Sequence, residues 1–114
     1  MGCGMAASRQ DLLPGTLDML VLKTLTVQPM HGYGIAQHIQ RLSKDVLQVE
    51  EGSLYPALQR MRQRGWITAE WHQTPNNQRA RYYTVTPKGR RQLGDQETGF
   101  AQLLAAIQRV MRPA

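Results

Sequence analysis

The stretch EGSLYPALQRMRQRG, residues 51–65, contains three apolar side chains at spacings of four and three, Leu54, Leu58 and Met61. This spacing places them on one face of a helix and leaves amide and guanidinium groups on the other faces. We predict a helix from Ser53 to Arg64, with Ser53 as its N-cap and Gly65 as the residue that ends it. Pro56 is expected to fall close enough to the helix start for its missing N–H to be tolerated.

The sequence after this helix predicts a β-hairpin. Two segments alternate between apolar and polar residues, with their apolar positions at Ile67, Ala69 and Trp71 and at Tyr83 and Val85. The residues between them, TPNNQ at 74–78, favour a tight turn. Because neighbouring residues of a strand point to opposite faces, we expect Tyr83 in the core and Tyr82 on the outer side.

Three further helices are predicted. The first covers residues 15–27 and is apolar on most sides, and a turn at residues 28–34 follows it. The second places Ile35, Ile39 and Leu42 inward. The last begins at Pro87 after a Thr86 cap, because proline is best tolerated in the first helical position.

The last helix carries an apolar stripe that we expect to form a dimer interface. Its members are Leu93, Phe100, Leu103, Leu104, Ile107, Val110 and Met111. Their spacing resembles the a and d positions of a heptad pattern. So small a domain offers no obvious partner for such a stripe, and a second copy of the chain would cover it.

The basic residues are concentrated in one third of the chain. Residues 59–91 hold eight lysines and arginines against one acid, Glu70, so this segment carries +7 and the rest of the chain −1. Such a concentration is typical of a surface that binds nucleic-acid phosphates. The alternative is a solvated basic face without a partner.

Other function classes find little support in the composition. One cysteine, Cys3, cannot form an intrachain disulfide, and His31, His38 and His72 lack the spacing of metal ligands. No catalytic motif or long apolar segment is present, so neither an enzyme, a metal site, a cofactor nor a membrane span is expected. A reduced, cytoplasmic setting is expected.

Several motifs in order resemble the PadR family of bacterial transcriptional regulators, over about residues 12–93. These are LPGTL at 13–17, HGYGI at 31–35, SLYPAL at 53–58, GWI at 65–67, RYY at 81–83 and TPKGR at 86–90. The single C-terminal helix is similar to that of the short PadR subfamily. The expected fold is mainly α with a small β-hairpin, a winged helix-turn-helix plus one dimerisation helix.

The resemblance also implies a domain organisation and partners. Residues 1–11 would be a flexible N-terminus, residues 12–86 the DNA-binding domain and residues 87–114 the dimerisation helix. Such proteins are homodimers that bind pseudo-palindromic promoter DNA, usually as repressors, and many release DNA when a small aromatic or drug-like compound binds. Drug-binding members stack ligands on a tryptophan of the last helix, where this chain offers only Phe100.

The predicted DNA contacts come from three places. The helix at 53–64 would enter the major groove, where guanidinium and amide groups match base edges. The hairpin tip would contact the backbone or the minor groove, and Tyr33 precedes a helix whose N-terminal N–H groups can hold a phosphate. The predicted residues are Tyr33, Ser53, Tyr55, Gln59, Arg60, Gln63, Arg64, Asn77, Gln78, Arg79, Arg81 and Tyr82.

Several alternatives stay open at this point. Tyr55, Tyr33 and His31 could serve packing alone, and Arg64 could be solvated. A winged helix that binds protein instead of DNA is the main alternative function, although it would have little reason to keep a basic face. The operator, the regulated genes, the effector and the sign of regulation do not follow from the sequence.

Overall fold

A computed structural model describes residues 15–113, within which four helices accompany one small sheet. The helices are α1 (Thr16–Leu25), α2 (Gly32–Leu42), α3 (Glu51–Gln63) and α4 (Pro87–Met111). The strands are β1 (Met30–His31), β2 (Ile67–Gln73) and β3 (Arg79–Val85), in the antiparallel order β1-β3-β2. The predicted fold class is therefore confirmed. The expectations for residues 1–11 and for the Leu13-Pro14 pair lie outside the described residues.

The turn predicted at residues 28–34 contains a short third strand. Met30 pairs with Tyr83 and His31 with Tyr82, so β1 covers the outer edge of β3. Met30 and His31 alone are too short a segment, between Pro29 and Gly32, to show the alternation by which a strand is recognised. The pairing fixes the start of α2 directly beside the hairpin.

The predicted N-cap of α3 is wrong. The cap is Glu50, and the helix begins at Glu51, two residues before Ser53. The Glu50 side chain makes no cap hydrogen bond, and the partly buried Leu47 and Val49 anchor the approach to the helix. Pro56 consequently lies in the second turn, where its missing N–H leaves the Gly52 carbonyl without its usual helical donor.

A single core joins all four helices to the sheet. It consists of Val21, Leu22, Leu25, Ile35, Ile39, Leu54, Ala57, Leu58, Met61, Trp66, Ile67, Tyr83, Val85 and Leu93. Tyr83 is buried as predicted, whereas Leu42, predicted to face inward, is exposed. Leu42 is the last residue of α2, beyond the reach of the core.

Thr86 fixes the junction between the hairpin and α4. Its hydroxyl donates to the Gly65 carbonyl at 2.6 Å and accepts from the Gly89 N–H at 3.0 Å. The predicted Thr86 cap and Pro87 start are confirmed. Gly89 lies so close to the Trp66 carbonyl that a Cβ there would overlap it. The start of α4 is therefore held rigidly against the end of α3.

Gly65 requires its left-handed backbone. Its φ is +78°, a conformation that costs an L-residue about 1 kcal/mol or more. Gly65→Ala is expected to lower the free energy of unfolding by about that amount. The matched control is Gly94→Ala inside α4, where a Cβ meets open space. This substitution should raise the free energy of unfolding by about 0.5–1 kcal/mol. Urea melts of both variants check this, and changes of the same sign would contradict it.

Within residues 15–113, no helix combines the length and the apolar character that crossing a membrane requires.

Candidate nucleic-acid interface

A groove of about 840 Å³ lies between the helices and the hairpin. We call β2, β3 and the turn between them the wing. The groove is bounded by the start of α2, the first half of α3 and the wing, and the side chains that line it include Tyr33, Tyr55, Trp71, Gln78, Arg79 and Arg81. Five of these six were predicted DNA contacts, and the fold brings them to one face of the molecule.

Trp71 holds two arginines on the groove side of the wing. Trp71 on β2 pairs with Arg81 on β3, and Arg79 lies two residues before Arg81 on β3. All three side chains therefore share a face of the sheet. The guanidinium carbons of Arg79 and Arg81 lie 5.1 Å and 5.6 Å from the centre of the Trp71 ring, within cation–π range. The stacking presents two oriented positive charges to the groove.

Trp71 is the functional candidate that sequence reasoning missed. The alternation placed it on the core face with Ile67, and it does share that face, but it extends beyond the edge of the core and is 55% exposed. The recognisable signal was the register, since a pairing of Trp71 with Arg81 puts an aromatic ring beside a cation. Buried Arg81 Nε has no hydrogen-bond partner among the described residues.

Tyr55 closes the floor of the groove against α2. A Cβ on Gly32 would lie 2.7 Å from the Tyr55 hydroxyl, so only glycine allows this approach. Burial, reinforced by the Glu51 carboxylate and by Tyr83, raises the pKa of the Tyr55 phenol above its ordinary value. The hydroxyl stays protonated at neutral pH and can donate a hydrogen bond to a phosphate oxygen.

His31 caps the start of α2. The Gly34 N–H donates to His31 Nδ1 at 2.9 Å, which satisfies one of the free amides of the first turn. Exposed Tyr33 accepts a hydrogen bond from Gln37 Nε2 at 2.9 Å and keeps its hydroxyl at the surface. A phosphate can meet this helix terminus and the tyrosine together.

The outward face of α3 is polar and amide-rich. Gln59 and Gln63, which we predict to contact base edges, lie opposite the buried stripe and are exposed. Ser53, in the first turn, is also exposed, although it does not cap the helix. Arg64 follows the last turn and stacks on Trp66, with 5.2 Å between the guanidinium carbon and the ring centre.

Arg60, predicted to contact a base or a phosphate, already has a partner within the protein. One terminal nitrogen of its guanidinium group donates to Asp18 Oδ1 of α1 at 2.8 Å. A long-range partner of this kind leaves no local signature in the sequence. Only the remaining donors of Arg60 are available to DNA.

Tyr82 does not line the groove, and its predicted phosphate contact stays a prediction. It occupies the opposite face of the sheet, edge-on to the rings of His31 and His72 at centroid distances of 5.3 Å and 5.7 Å. Tyr82 is the neighbour of Tyr83 on β3, so the two side chains point to opposite faces of the sheet. The groove adjoins the face that carries Tyr83. The exposed tip residues Asn77 and Gln78 remain at the outer end of the wing.

Helix α4 presents a second surface, away from the groove. Six of the seven predicted stripe residues are exposed, namely Phe100, Leu103, Leu104, Ile107, Val110 and Met111. The assignment of Leu93 to this interface is wrong: it is 5% exposed and belongs to the core, because the first turns of α4 pack on the wing and on α1. The available stripe therefore begins at Phe100, about two turns later than predicted.

Among the described residues no group of three histidine, cysteine or acidic side chains is placed to hold a metal ion. The chemistry of the groove is that of donors and positive charge.

This geometry, a helix-turn-helix whose third helix stands beside a basic wing, defines a winged helix-turn-helix protein. The sequence matches the PadR-like family of transcriptional regulators over residues 21–95, and the chain belongs to that family. The family and the similar structures are transcriptional regulators and not enzymes.

Solved structures share the whole fold. A transcriptional regulator from Clostridium thermocellum superposes with a TM-score of 0.79 at 22% identity, covering 86% of this chain and 92% of that one. A PadR family regulator from Eggerthella lenta gives 0.75 at 27% identity, covering 88% and 85%. One from Clostridium difficile gives 0.74 at 24% identity, covering 86% and 100%. An uncharacterised protein of Lysinibacillus sphaericus is 26% identical over 99 residues, 87% of this chain and 91% of the relative.

Trp71 provides a fluorescence signal for the groove. We expect duplex DNA to change the emission of exposed Trp71 but not that of Trp66, which is 8% exposed in the core. Trp71→Phe should abolish this DNA-dependent change and weaken binding of all sequences by about 1 kcal/mol, because the two arginines lose their best stacking partner. A change that persists in Trp71→Phe would place the ligand elsewhere.

Proposed function

We propose that this regulator binds a specific duplex DNA as a homodimer and represses neighbouring genes in the cytoplasm until a small aromatic effector releases it. The observation that carries the proposal is the groove, in which Arg79 and Arg81 stack on Trp71 and which the start of α2 and the first half of α3 also line. We assign DNA binding to residues 12–86 and dimerisation to residues 87–114.

Helix α3 would read the sequence. The major groove admits an α-helix and displays a distinct hydrogen-bond pattern for each base pair. Gln59 and Gln63 project on the side of α3 away from the core, and an amide can donate to and accept from an adenine edge. These two residues would supply part of the sequence preference.

The wing and the start of α2 would position the protein. Arg79 and Arg81 offer charged donors, and the Tyr55 hydroxyl and the first amides of α2 offer neutral ones. Such groups suit phosphate oxygens, which fix the register without specifying sequence. Asn77 and Gln78 would continue these contacts along the backbone or into the minor groove.

The exposed stripe of α4 would form the dimer. Water-exposed apolar side chains in a row on one helix indicate an association surface. Two copies joined there would present two α3 helices to a two-fold operator. A pseudo-palindromic site is the expected target.

The effector would bind between α1 and α4. An apolar cavity of about 240 Å³ is lined there by Met19, Gln96, Phe100 and Leu103. Buried Gln96 Oε1 has no hydrogen-bond partner among the described residues, so a planar apolar compound with one donor would fit. Phenolic acids and planar dyes added to the protein–operator complex test this. Release of DNA by a panel member supports the effector, and a panel without effect contradicts it.

The DNA-binding proposal is tested by selection of duplexes from a random pool. We expect enrichment of a two-fold sequence after a few rounds at low salt. A winged helix that binds only protein would enrich no duplex, and that result would overturn the proposal. Reporter transcription from the enriched sequence, with and without the regulator, then decides between repression and activation.

A further inference from the structure

An ion pair joins α1 to the helix that we assign to sequence reading. Asp18 lies in the first turn of α1 and is 4% exposed, while the Arg60 side chain on α3 is 44% exposed. The two residues are 42 positions apart, and the nitrogen–oxygen distance is 2.8 Å. One end of the pair is therefore in the protein interior and the other is at the surface of α3.

The burial of Asp18 makes this pair obligatory. A carboxylate removed from water is strongly disfavoured unless a charged donor compensates it. Arg60 is the cation that pairs with Asp18 in the described part of the chain. Because the pairing is already made in the free protein, the Arg60 side chain has lost most of its rotamer freedom before any ligand arrives.

The guanidinium group can still make contacts beyond Asp18. It is planar and carries five N–H donors, of which the described pair uses one. Arg60 leaves α3 between the buried stripe and the face that carries Gln63, and its side chain is 44% exposed, so the remaining donors are accessible from that flank. Their direction is set by the Asp18 carboxylate, whereas a solvated arginine could follow any nearby phosphate.

We propose that Asp18 is a positioning residue for DNA recognition. It directs the free donors of Arg60 to one place on the duplex, and its negative charge weakens the attraction of Arg60 to phosphates elsewhere. The inference rests on the proposed function. Both effects act in the same direction: a fixed donor favours one sequence, and a neutralised charge weakens binding to every other sequence. Asp18 would raise sequence preference without touching DNA.

Asp18→Asn tests this, because it keeps the shape and removes the charge. The matched control is Asp95→Asn, which removes an equal charge from the exposed surface of α4. Each protein is titrated with the duplex that the wild type enriches and with a scrambled duplex of the same composition, over a series of salt concentrations. Circular dichroism melts establish that the variants are folded at the assay temperature.

For Asp18→Asn we expect the preference for the enriched duplex to fall on the order of tenfold. Its affinity for the scrambled duplex should rise at low salt, and the slope of log affinity against log salt should steepen by up to about 0.9 for each Arg60 released. Asp95→Asn should match the wild type in preference. A purely structural Asp18 would lower the melting temperature and leave preference and slope unchanged, which would overturn the inference.

Arg60→Lys decides the matter if Asp18→Asn does not fold. Lysine keeps a cation for Asp18 but replaces the planar fork with a point charge. We expect a several-fold loss of preference with the wild-type salt slope, and an unchanged preference would overturn the inference. A wild type that enriches no duplex would overturn the proposed function and this inference with it. A wild type that enriches normally, with both variants behaving like it, would overturn only the inference.

Discussion

The double substitution Leu103→Glu with Ile107→Glu is expected to convert the proposed dimer to a monomer. Operator binding should weaken on the order of 10²-fold or more. Both side chains are exposed at the middle of the α4 stripe, so the fold of a single chain does not depend on them. In a dimer they would lie in a desolvated seam, where an unpaired carboxylate is strongly unfavourable. Operator affinity would fall because two half-sites would no longer be bound as one unit.

The matched control places the same charges on the opposite face of α4. Gln102 and Ala105 are exposed there, and Gln102→Glu with Ala105→Glu should leave a dimer that binds the operator normally. Light scattering gives the mass of each protein, and a titration with the enriched duplex gives its affinity. A monomeric wild type, or a dimeric Leu103→Glu, Ile107→Glu variant that binds normally, would contradict the assignment of the dimer to α4.

The local signals in the sequence predicted the frame of the fold. Thr86-Pro87 fixes the start of α4 because a cap and a proline act over only a few residues, and Gly65 ends α3 because its backbone needs positive φ. The burial of Tyr83 follows from the strict alternation of side chains along a strand. Such features depend on neighbours in the chain, and these three predictions are confirmed.

The features that the sequence did not predict depend on distant contacts. Leu93 has the heptad spacing of a dimer residue, but it is buried in the core where α4 packs on α1 and the wing, and no pattern within α4 indicates that. The partner of Arg60 is Asp18, 42 residues away, and the sequence around Arg60 carries no sign of it. Trp71 becomes a groove residue only when the hairpin register aligns it with Arg81. The site thus depends on contacts between residues that are far apart in the sequence, which local sequence patterns do not predict.

Binding to the enriched duplex is expected to fall by about 10³-fold or more between 50 and 200 mM salt. Each phosphate that a cationic side chain neutralises releases counterions and adds about −0.9 to the slope of log affinity against log salt. Residues 59–91 carry +7, and the wing places Arg79 and Arg81 on the groove. Roughly six contacts from a dimer are enough for a fall of this size.

Arg79→Gln with Arg81→Gln should remove up to four of these contacts from a dimer and make the slope less steep by about 3 to 4. Because phosphate contacts carry no sequence information, the enriched and scrambled duplexes should lose affinity about equally. Arg109→Gln with Arg112→Gln removes the same charge at the far end of α4 and should leave the slope within about one unit of the wild type. If both double variants shift the slope equally, net charge and not the groove governs binding. That result would remove the wing from the interface, since only a local contact depends on where the two charges are.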